Sequence, residues 1–164
     1  MNESQPLKMR RKDRQVTAPE AIHAIIQRAD VCRIALARDN LPYIVALNFG
    51  FRPGHPSRFY FHCARTGRKL DFMAYNNYVC FQLDVDHRFV PADSACDHTM
   101  TFQSVLGYGF LIQVDDPAER QAGLNCIMRH YTEREDWDFS LSMLKHTTVL
   151  RLDVESMTAK RKDE

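Results

Sequence analysis

The 164-residue sequence has no long apolar run: nothing approaches the eighteen or so consecutive apolar residues that a membrane-crossing helix needs. Met1 to Val16 is polar and basic without an apolar centre, which sets the expectation of a chain with no secretory signal and no membrane partner. Cysteine is present in an odd number. Cys32, Cys63, Cys80, Cys96 and Cys126 are widely spaced and form no CxxC pair, which argues against a disulfide framework and for reduced thiols in the cytoplasm. Net charge is nearly absent as well. With 22 Lys+Arg against 21 Asp+Glu, the formal charge of +1 gives no basic field to hold a polyphosphate backbone, so no nucleic-acid partner is expected.

The motif inventory is equally sparse. His55, His62, Cys63, Cys96, His98 and Cys126 fall into no metal-ligand spacing, so no metal site is expected. There is no GxSxG elbow, no GxGxxG turn and no Walker loop, which removes support for a serine hydrolase, a dinucleotide fold and a P-loop enzyme. No internal repeat or low-complexity tract interrupts the chain. A composition of 45% hydrophobic and 26% charged residues is that of an ordered globular protein. One domain is expected over residues 16–164, preceded by a charged arm, 1–15, that carries Arg10, Arg11, Lys12, Asp13 and Arg14 in a row.

Periodicity supplies the elements. Thr17-Ala-Pro-Glu20 has the capping-box pattern and introduces a helix with Ile22, Ile25, Ile26 and Ala29 on one face. Strands are expected at 31–37 and 43–50, the second apolar on both faces and therefore covered on both sides. Residues 58–64 alternate, with Phe59, Phe61 and Cys63 on one face and Tyr60 and His62 on the other. A short helix follows over 67–75. Residues 78–86 then place Val79, Phe81, Leu83 and Val85 inward, 87–98 reads as irregular, and 99–114 is a long strand pair or bent strand in which Gly107 and Gly109 suggest a bulge or a close backbone approach. Asp116-Pro-Ala-Glu119 caps a helix with a stripe of Ala122, Leu124, Ile127, Met128 and Tyr131; a shorter helix spans 137–145, a last strand 148–154, and 158–164 is a charged end. Strands joined mostly by short turns favour a mainly β protein, an antiparallel sheet closed into a barrel with a few helices.

One local feature points to chemistry. Thr66-Gly67-Arg68-Lys69 opens a helix, where cations are unfavourable because the N-terminus already carries partial positive charge. Free N–H groups, a glycine and two cations at one point suit a phosphate or carboxylate, with His62 on the strand just before. Arg68 and Lys69 pointing simply to water is the alternative.

Met9-Arg10-Arg11-Lys12-Asp13-Arg14, Pro42-Tyr-Ile-Val-Ala-Leu-Asn-Phe-Gly50, Tyr60-Phe-His62-Cys-Ala-Arg-Thr-Gly67-Arg-Lys69 and Ser104-Val-Leu-Gly-Tyr-Gly109 occur in this order. Together they resemble the nitroimidazole-resistance (Nim-type) proteins, within the flavin-binding split β-barrels similar to pyridoxamine 5′-phosphate oxidase. The resemblance runs over residues 9–160. It implies an FMN-binding split β-barrel, a six-stranded antiparallel Greek-key barrel, working as a homodimer with flavin sites at the subunit interface. FMN is the implied cofactor, with FAD sharing the proximal phosphate contact.

The same resemblance assigns residues. Val45, Ala46, Leu47, Asn48 and Phe49 would present backbone to the flavin ring; His62, Cys63, Ala64, Gly67, Arg68 and Lys69 would hold its phosphate end; Ser104, Val105 and Gly107 would approach from the same or the other subunit. His62 would be the catalytic residue, with phosphate binding or packing as its alternatives. A small-molecule substrate is implied, a 5-nitroimidazole reduced at its nitro group. A non-catalytic flavin- or haem-binding carrier or sensor is the alternative on the same barrel. Two departures stand out: Cys63 occupies a position where Ser or Gly is commoner, and Phe110 one where a small or polar residue is frequent.

Overall fold

A computed structural model describes residues 9–132, 134 and 136–163; the first eight residues of the arm lie outside the described residues. The strands are β1 (Gln15–Val16), β2 (Cys32–Arg38), β3 (Leu41–Leu47), β4 (Gly50–Arg52), β5 (Arg58–Ala64), β6 (Tyr78–Val90), β7 (Thr99–Gln113) and β8 (Thr147–Lys162). The helices are α1 (Pro19–Arg28), α2 (Arg68–Tyr75), α3 (Pro117–Tyr131) and α4 (Leu141–His146). All strands join one antiparallel sheet in the order β3-β2-β6-β7-β8-β5-β4, with β1 added to β8.

The sequence separation of the two sheet ends explains the shape. β3 and β4 lie at opposite ends of the hydrogen-bonded path, yet only Asn48 and Phe49 stand between them. That link spans at most about 10 Å, so the sheet has to curl until its first and last strands approach each other. The barrel is closed by the chain and left open in its ladder between β3 and β4, which makes it a split β-barrel. Six long strands (β2, β3, β5, β6, β7 and β8) form the wall, with the two-residue β1 and three-residue β4 as additions. The non-sequential neighbours β2–β6 and β5–β8 are the Greek-key crossings.

Alternation fills the barrel. Phe59, Phe61 and Cys63 of β5 turn inward to meet Phe49, Phe81, Leu83, Val105 and Leu152, and α1 adds Ile22, Ile25 and Ile26. Phe59 lies 5.0 Å, centroid to centroid, from Phe81 and 5.6 Å from Phe49. Each such fully buried side chain is worth about 1.5–3 kcal/mol of transfer free energy. Tyr60, on the other face of β5, joins Val114, Leu124, Cys126, Ile127 and Val149 in a smaller core under α3. α3 begins as expected, with Asp116 Oδ2 accepting from the Glu119 N–H at 2.7 Å and Pro117 in the first turn. The bulge falls where the glycines suggested it: Tyr108 pairs with Ser156 but Gly109 with Val154, so Glu155 is the extra residue on β8.

Other expectations are corrected. Thr17 does not cap α1. Ala18 occupies the cap without a side-chain bond, because Pro19 sits in the first turn and sets the start one residue later. The strand over 43–50 is two strands broken at Asn48–Phe49, and its outer set is uncovered in the single chain, with Ile44 66% exposed. Residues 87–90 continue β6 past a register shift rather than forming irregular chain. Of the stripe expected on α3, Leu124 and Ile127 are buried, joined by Gly123 and Cys126, while Met128 is half-buried and Ala122 and Tyr131 are exposed. The next helix begins at Leu141, capped by Ser140, so residues 137–140 are not helical. The charged end is largely strand: β8 runs to Lys162, its charges facing out while Ala159 is buried.

The α3 layer depends on Gly50. A Cβ there would lie 2.3 Å from the Cys126 carbonyl carbon and 2.5 Å from the Ile127 nitrogen, both rigid helix backbone. Gly50→Ala is expected to lower stability by about 1–3 kcal/mol, read as the urea unfolding midpoint, because α3 must move outward. Gly54→Ala, in an exposed loop, should change it by less than about 0.5 kcal/mol. Equal midpoints for the two variants would remove the close approach of α3 as a determinant of the fold.

Candidate functional site

β5 ends at Ala64, and Arg65-Thr66 turn the chain into α2. Gly67, the residue before the helix, has φ 137°, a conformation side-chain-bearing residues rarely adopt. The N–H groups of Leu70 and Asp71 both bond to the Gly67 carbonyl, at 2.9 and 3.3 Å. Those of Arg68 and Lys69 have no upstream acceptor in a helix, and Gly67 brings no side chain to cap them.

Charge gathers at the same point. The Arg68 guanidinium lies 5.9 Å from the centroid of Tyr43, which in turn packs against Phe72 of α2 at 5.2 Å. Lys69 is within electrostatic reach of Cys63: burial pushes the Cys63 thiol up, and the Lys69 charge partly offsets it. Neither Arg68 nor Lys69 meets a carboxylate among the described residues. Two cations and two open N–H groups around a backbone bend form a donor set for an anion, and a phosphate is the group that uses both kinds of donor.

β3 stands beside this point through Tyr43. It ends the sheet path, so alternate N–H and C=O groups on its outer side have no ladder partner. Val45 and Leu47 pack inward against the core, while Ala46 and Asn48 are exposed. Phe49 has a different place. It is fully buried, and its N–H donates to the Tyr131 hydroxyl at 3.1 Å, so both its ring and its donor are used inside the protein.

His62 is exposed on the face of β5 opposite Cys63, across from Val149, and has no hydrogen-bond partner among the described residues. Ala64, also exposed, lies across from Thr147. Ser104 sits between Asp84 and Lys160 on the outer face, Val105 is in the core, and Gly107 pairs with Phe81 and Met157. His62–Ala64 pair with residues 147–149 of β8, whereas Ser104–Gly107 pair with residues 157–160. The single chain therefore gathers Cys63, Gly67, Arg68 and Lys69 beside β3, and sets Ser104–Gly107 on another part of the sheet.

The placement of three residues escaped the sequence reading. Tyr43, under Arg68, had only its place in an apolar strand, on the same face as Val45 and Leu47, as a signal. Lys160 and Arg10 line a hollow of about 430 Å³ with Ser104, which depends on pairing between distant strands. A third charged group, in which Arg151 Nη1 donates to both Glu119 oxygens at 2.8 and 2.9 Å and Tyr60 donates to Oε1 at 3.1 Å, ties α3 to β5 and β8. No cluster of three or more His, Cys, Asp or Glu suited to a metal exists among the described residues, and none of their helices is long and apolar enough to cross a membrane.

Comparison with solved structures places this geometry among known folds. A candidate 5-nitroimidazole antibiotic resistance protein of Bacteroides thetaiotaomicron superposes with a TM-score of 0.77 at 28% identity, covering 92% of this chain and 90% of the other. The flavocytochrome Anf3 of Azotobacter vinelandii gives 0.81 at 19% identity, over 96% and 73%. The FAD and heme binding protein of Mycobacterium smegmatis gives 0.80 at 19%, over 92% and 74%. Curated protein sequences give no match. The family model for pyridoxamine 5′-phosphate oxidase matches residues 18–161, from the start of α1 almost to the end of β8. The split barrel, with its seam between β3 and β4, is thus built from a sequence that belongs to the pyridoxamine 5′-phosphate oxidase family.

Proposed function

We propose that the protein is a flavin-dependent oxidoreductase that holds the flavin phosphate at the start of α2 and reduces a small nitroaromatic substrate, a 5-nitroimidazole in the most specific form. The observation that carries this reading is the uncapped first turn of α2, where Arg68 and Lys69 gather without a carboxylate beside an unpaired sheet edge. The residues fit the group. The N–H groups of Arg68 and Lys69 and their side chains suit its phosphate, and the free backbone groups of β3 around Val45, Ala46 and Leu47 suit the polar edge of its ring. FMN is the cofactor of this reading, and FAD offers the same proximal phosphate. The likeness to a candidate nitroimidazole resistance protein supports the substrate class. Five unpaired cysteines accord with a cytoplasmic setting.

When bound, a flavin supplies a carrier that takes electrons in pairs from a reductant and passes them on. Taking a nitro group to an amine consumes six electrons and six protons and releases two waters, so an external hydride donor such as a reduced nicotinamide acts repeatedly. The chain's own part is to position and to move protons. His62, exposed and unpartnered, stands where it can relay protons between solvent and the substrate oxygens.

The reading includes a homodimer. Ile44, Ala35, Cys80 and Tyr108 form a row across β3, β2, β6 and β7 on the outer face, flanked by Leu106 and Phe110, which are 39% and 42% exposed. A second copy covers this face and brings its Ser104–Gly107 segment to the flavin that the first copy's α2 holds.

Three outcomes test the reading. Replacing Arg68 and Lys69 by Ala should weaken FMN binding at least tenfold per cation and abolish the preference for FMN over riboflavin, as read by flavin fluorescence titration. Undiminished preference would move the phosphate elsewhere. His62→Ala should keep FMN and lower steady-state nitro reduction by about 10²–10⁴-fold; bound flavin with no turnover even in the unaltered protein would favour a carrier or sensor. Ile44→Glu with Phe110→Glu should convert a sedimenting dimer into a monomer and release flavin with it, whereas a monomeric unaltered protein would exclude the shared site.

A further inference from the structure

α2 is eight residues long and buries only Phe72, so it is too short to be stable alone and its place is set by what it rests on. It is fastened to the β2–β3 hairpin at both ends. At its last residue, the Tyr75 hydroxyl donates to Asp39 Oδ1 at 2.6 Å, and Arg38 lies 5.4 Å from the centroid of the Tyr75 ring. Asp39 and Asn40 form the tip of that hairpin, with φ 49° and 62°. At its first turn, Phe72 packs on Tyr43 at 5.2 Å, and the Arg68 guanidinium stands 5.9 Å from the same ring. Tyr43 is half-buried against the barrel core, and the flavin reading gives it no task.

Arg68 differs from the other cations that meet a ring. Among the described residues three arginines stand over aromatic rings: Arg38 over Tyr75, Arg134 over Trp137 at 4.4 Å, and Arg68 over Tyr43. Arg38 is also paired with Asp39 at 3.4 Å, and Arg134 with Asp136 at 3.0 Å. Arg68 has no carboxylate among the described residues, and Asp71, the acid of the same turn, pairs with neither Arg68 nor Lys69. The distinction has a chemical consequence. A carboxylate occupies the N–H edge of a guanidinium and cancels its charge, whereas an aromatic ring attracts the cation through its quadrupole and takes up none of its donors. Arg68 is thus restrained by a ring and keeps its fork of N–H groups open.

We propose that Tyr43 is a positioning residue of the anion site, whose ring fixes the Arg68 guanidinium at the first turn of α2 and leaves its donors for the flavin phosphate. The inference rests on the flavin reading and deepens it. Tyr43 does not touch the phosphate; it acts through Arg68. Arg68 is a long, exposed side chain, and restraining it before the ligand arrives lowers the ordering cost of binding. One strand then serves both ends of the ligand. β3 offers its free edge to the flavin ring and, through Tyr43, holds the cation for the phosphate, so a single strand–helix contact sets the spacing between the two.

The test titrates the full chain with FMN and with riboflavin, followed by flavin fluorescence, because the ratio of the two affinities isolates the phosphate. Tyr43→Leu keeps an apolar side chain against Phe72 and removes the ring. It should lower the FMN-to-riboflavin ratio about two- to fivefold, the range of a cation–π contact at a partly exposed site. Tyr43→Phe should retain the ratio, since the ring and not the hydroxyl does the positioning. Tyr75→Phe, which loosens the far end of α2 only, should retain it too. In the Arg68→Ala background, Tyr43→Leu should change the ratio no further. If the leucine chain fails to fold, Tyr43→Met carries the same comparison. Equal losses for Tyr43→Leu and Tyr75→Phe would overturn the proposal, because Tyr43 would then only seat the helix. So would an undiminished effect of Tyr43→Leu without Arg68, or a loss in Tyr43→Phe. A ratio lowered by Arg68→Ala but not by Tyr43→Leu strikes the role of Tyr43 alone, whereas a ratio that Arg68→Ala leaves unchanged overturns the phosphate reading and this inference with it.

Discussion

The two-residue link of Asn48 and Phe49 is the constraint on which the rest of the structure depends. It forces the ends of a single sheet together without giving them a ladder to share, so the closure is held by packing. Phe49 carries that closure. Its ring is buried against Phe59 and lies 4.2 Å from the His130 ring, while its N–H reaches the Tyr131 hydroxyl. The Tyr131 hydroxyl donates in turn to the Asp30 carbonyl at 2.7 Å, and His130 Nε2 meets the Ala29 carbonyl at 2.7 Å. One residue at the seam thus joins the barrel, the end of α3 and the segment after α1. The cost of the arrangement is an unpaired edge on β3, which in most proteins is blunted or covered. Here the edge is flanked by exposed Ile44 and Ala46 and by the start of α2, and no strand of the chain covers it among the described residues.

The second layer restrains that edge from the other side. α3 rests on β4 and β5 through contacts that admit no side chain at Gly50, and Glu119 fastens its first turn to Arg151 and Tyr60. Burial and the Glu119 carboxylate both raise the Tyr60 hydroxyl pKa, so the hydroxyl stays protonated and donates. Removing any one member leaves a charge or donor without its partner in a half-buried place, which is why such groups are costly to break even where they contribute little net stability. Glu119 has its acceptor capacity occupied by Arg151 and Tyr60. The group positions a helix and offers no free acceptor of its own.

Legibility in the sequence followed the range of the interaction. The inward set of β5, the alternation of β6, the Asp116 cap and the helix start at Gly67 are set by residues within a few positions of one another, and each was readable. β8 was cut short because Lys160 and Lys162 look like a solvated tail until Ala159 is seen to face Val105 across the sheet. The outer face of β3 was read as covered because apolar residues on both faces do not say whether their cover comes from the same chain. The gathering of Arg68 and Lys69 at the start of α2 was legible for the local reason that cations are out of place at a helix start. Tyr43 beneath Arg68, and Arg10 facing Lys160, were not, because strand pairing and helix docking bring together residues 25 and 150 positions apart.

That contrast bears on what a near-zero net charge means. A sum of +1 says only that opposite charges are equal in number, and says nothing about whether they meet. In this barrel most arginines find a carboxylate close by, often across a single strand pair or within three residues, so their fields cancel within a few ångströms. Arg68 and Lys69 are instead like charges held side by side, with no carboxylate paired to either among the described residues. Such a pair repels, and the repulsion is retained in the folded chain because the helix that carries it is fixed by another contact, Phe72 on Tyr43. A fold that holds cations together against their own repulsion gains most from a small anion, since binding removes the repulsion and adds the attraction at the same time.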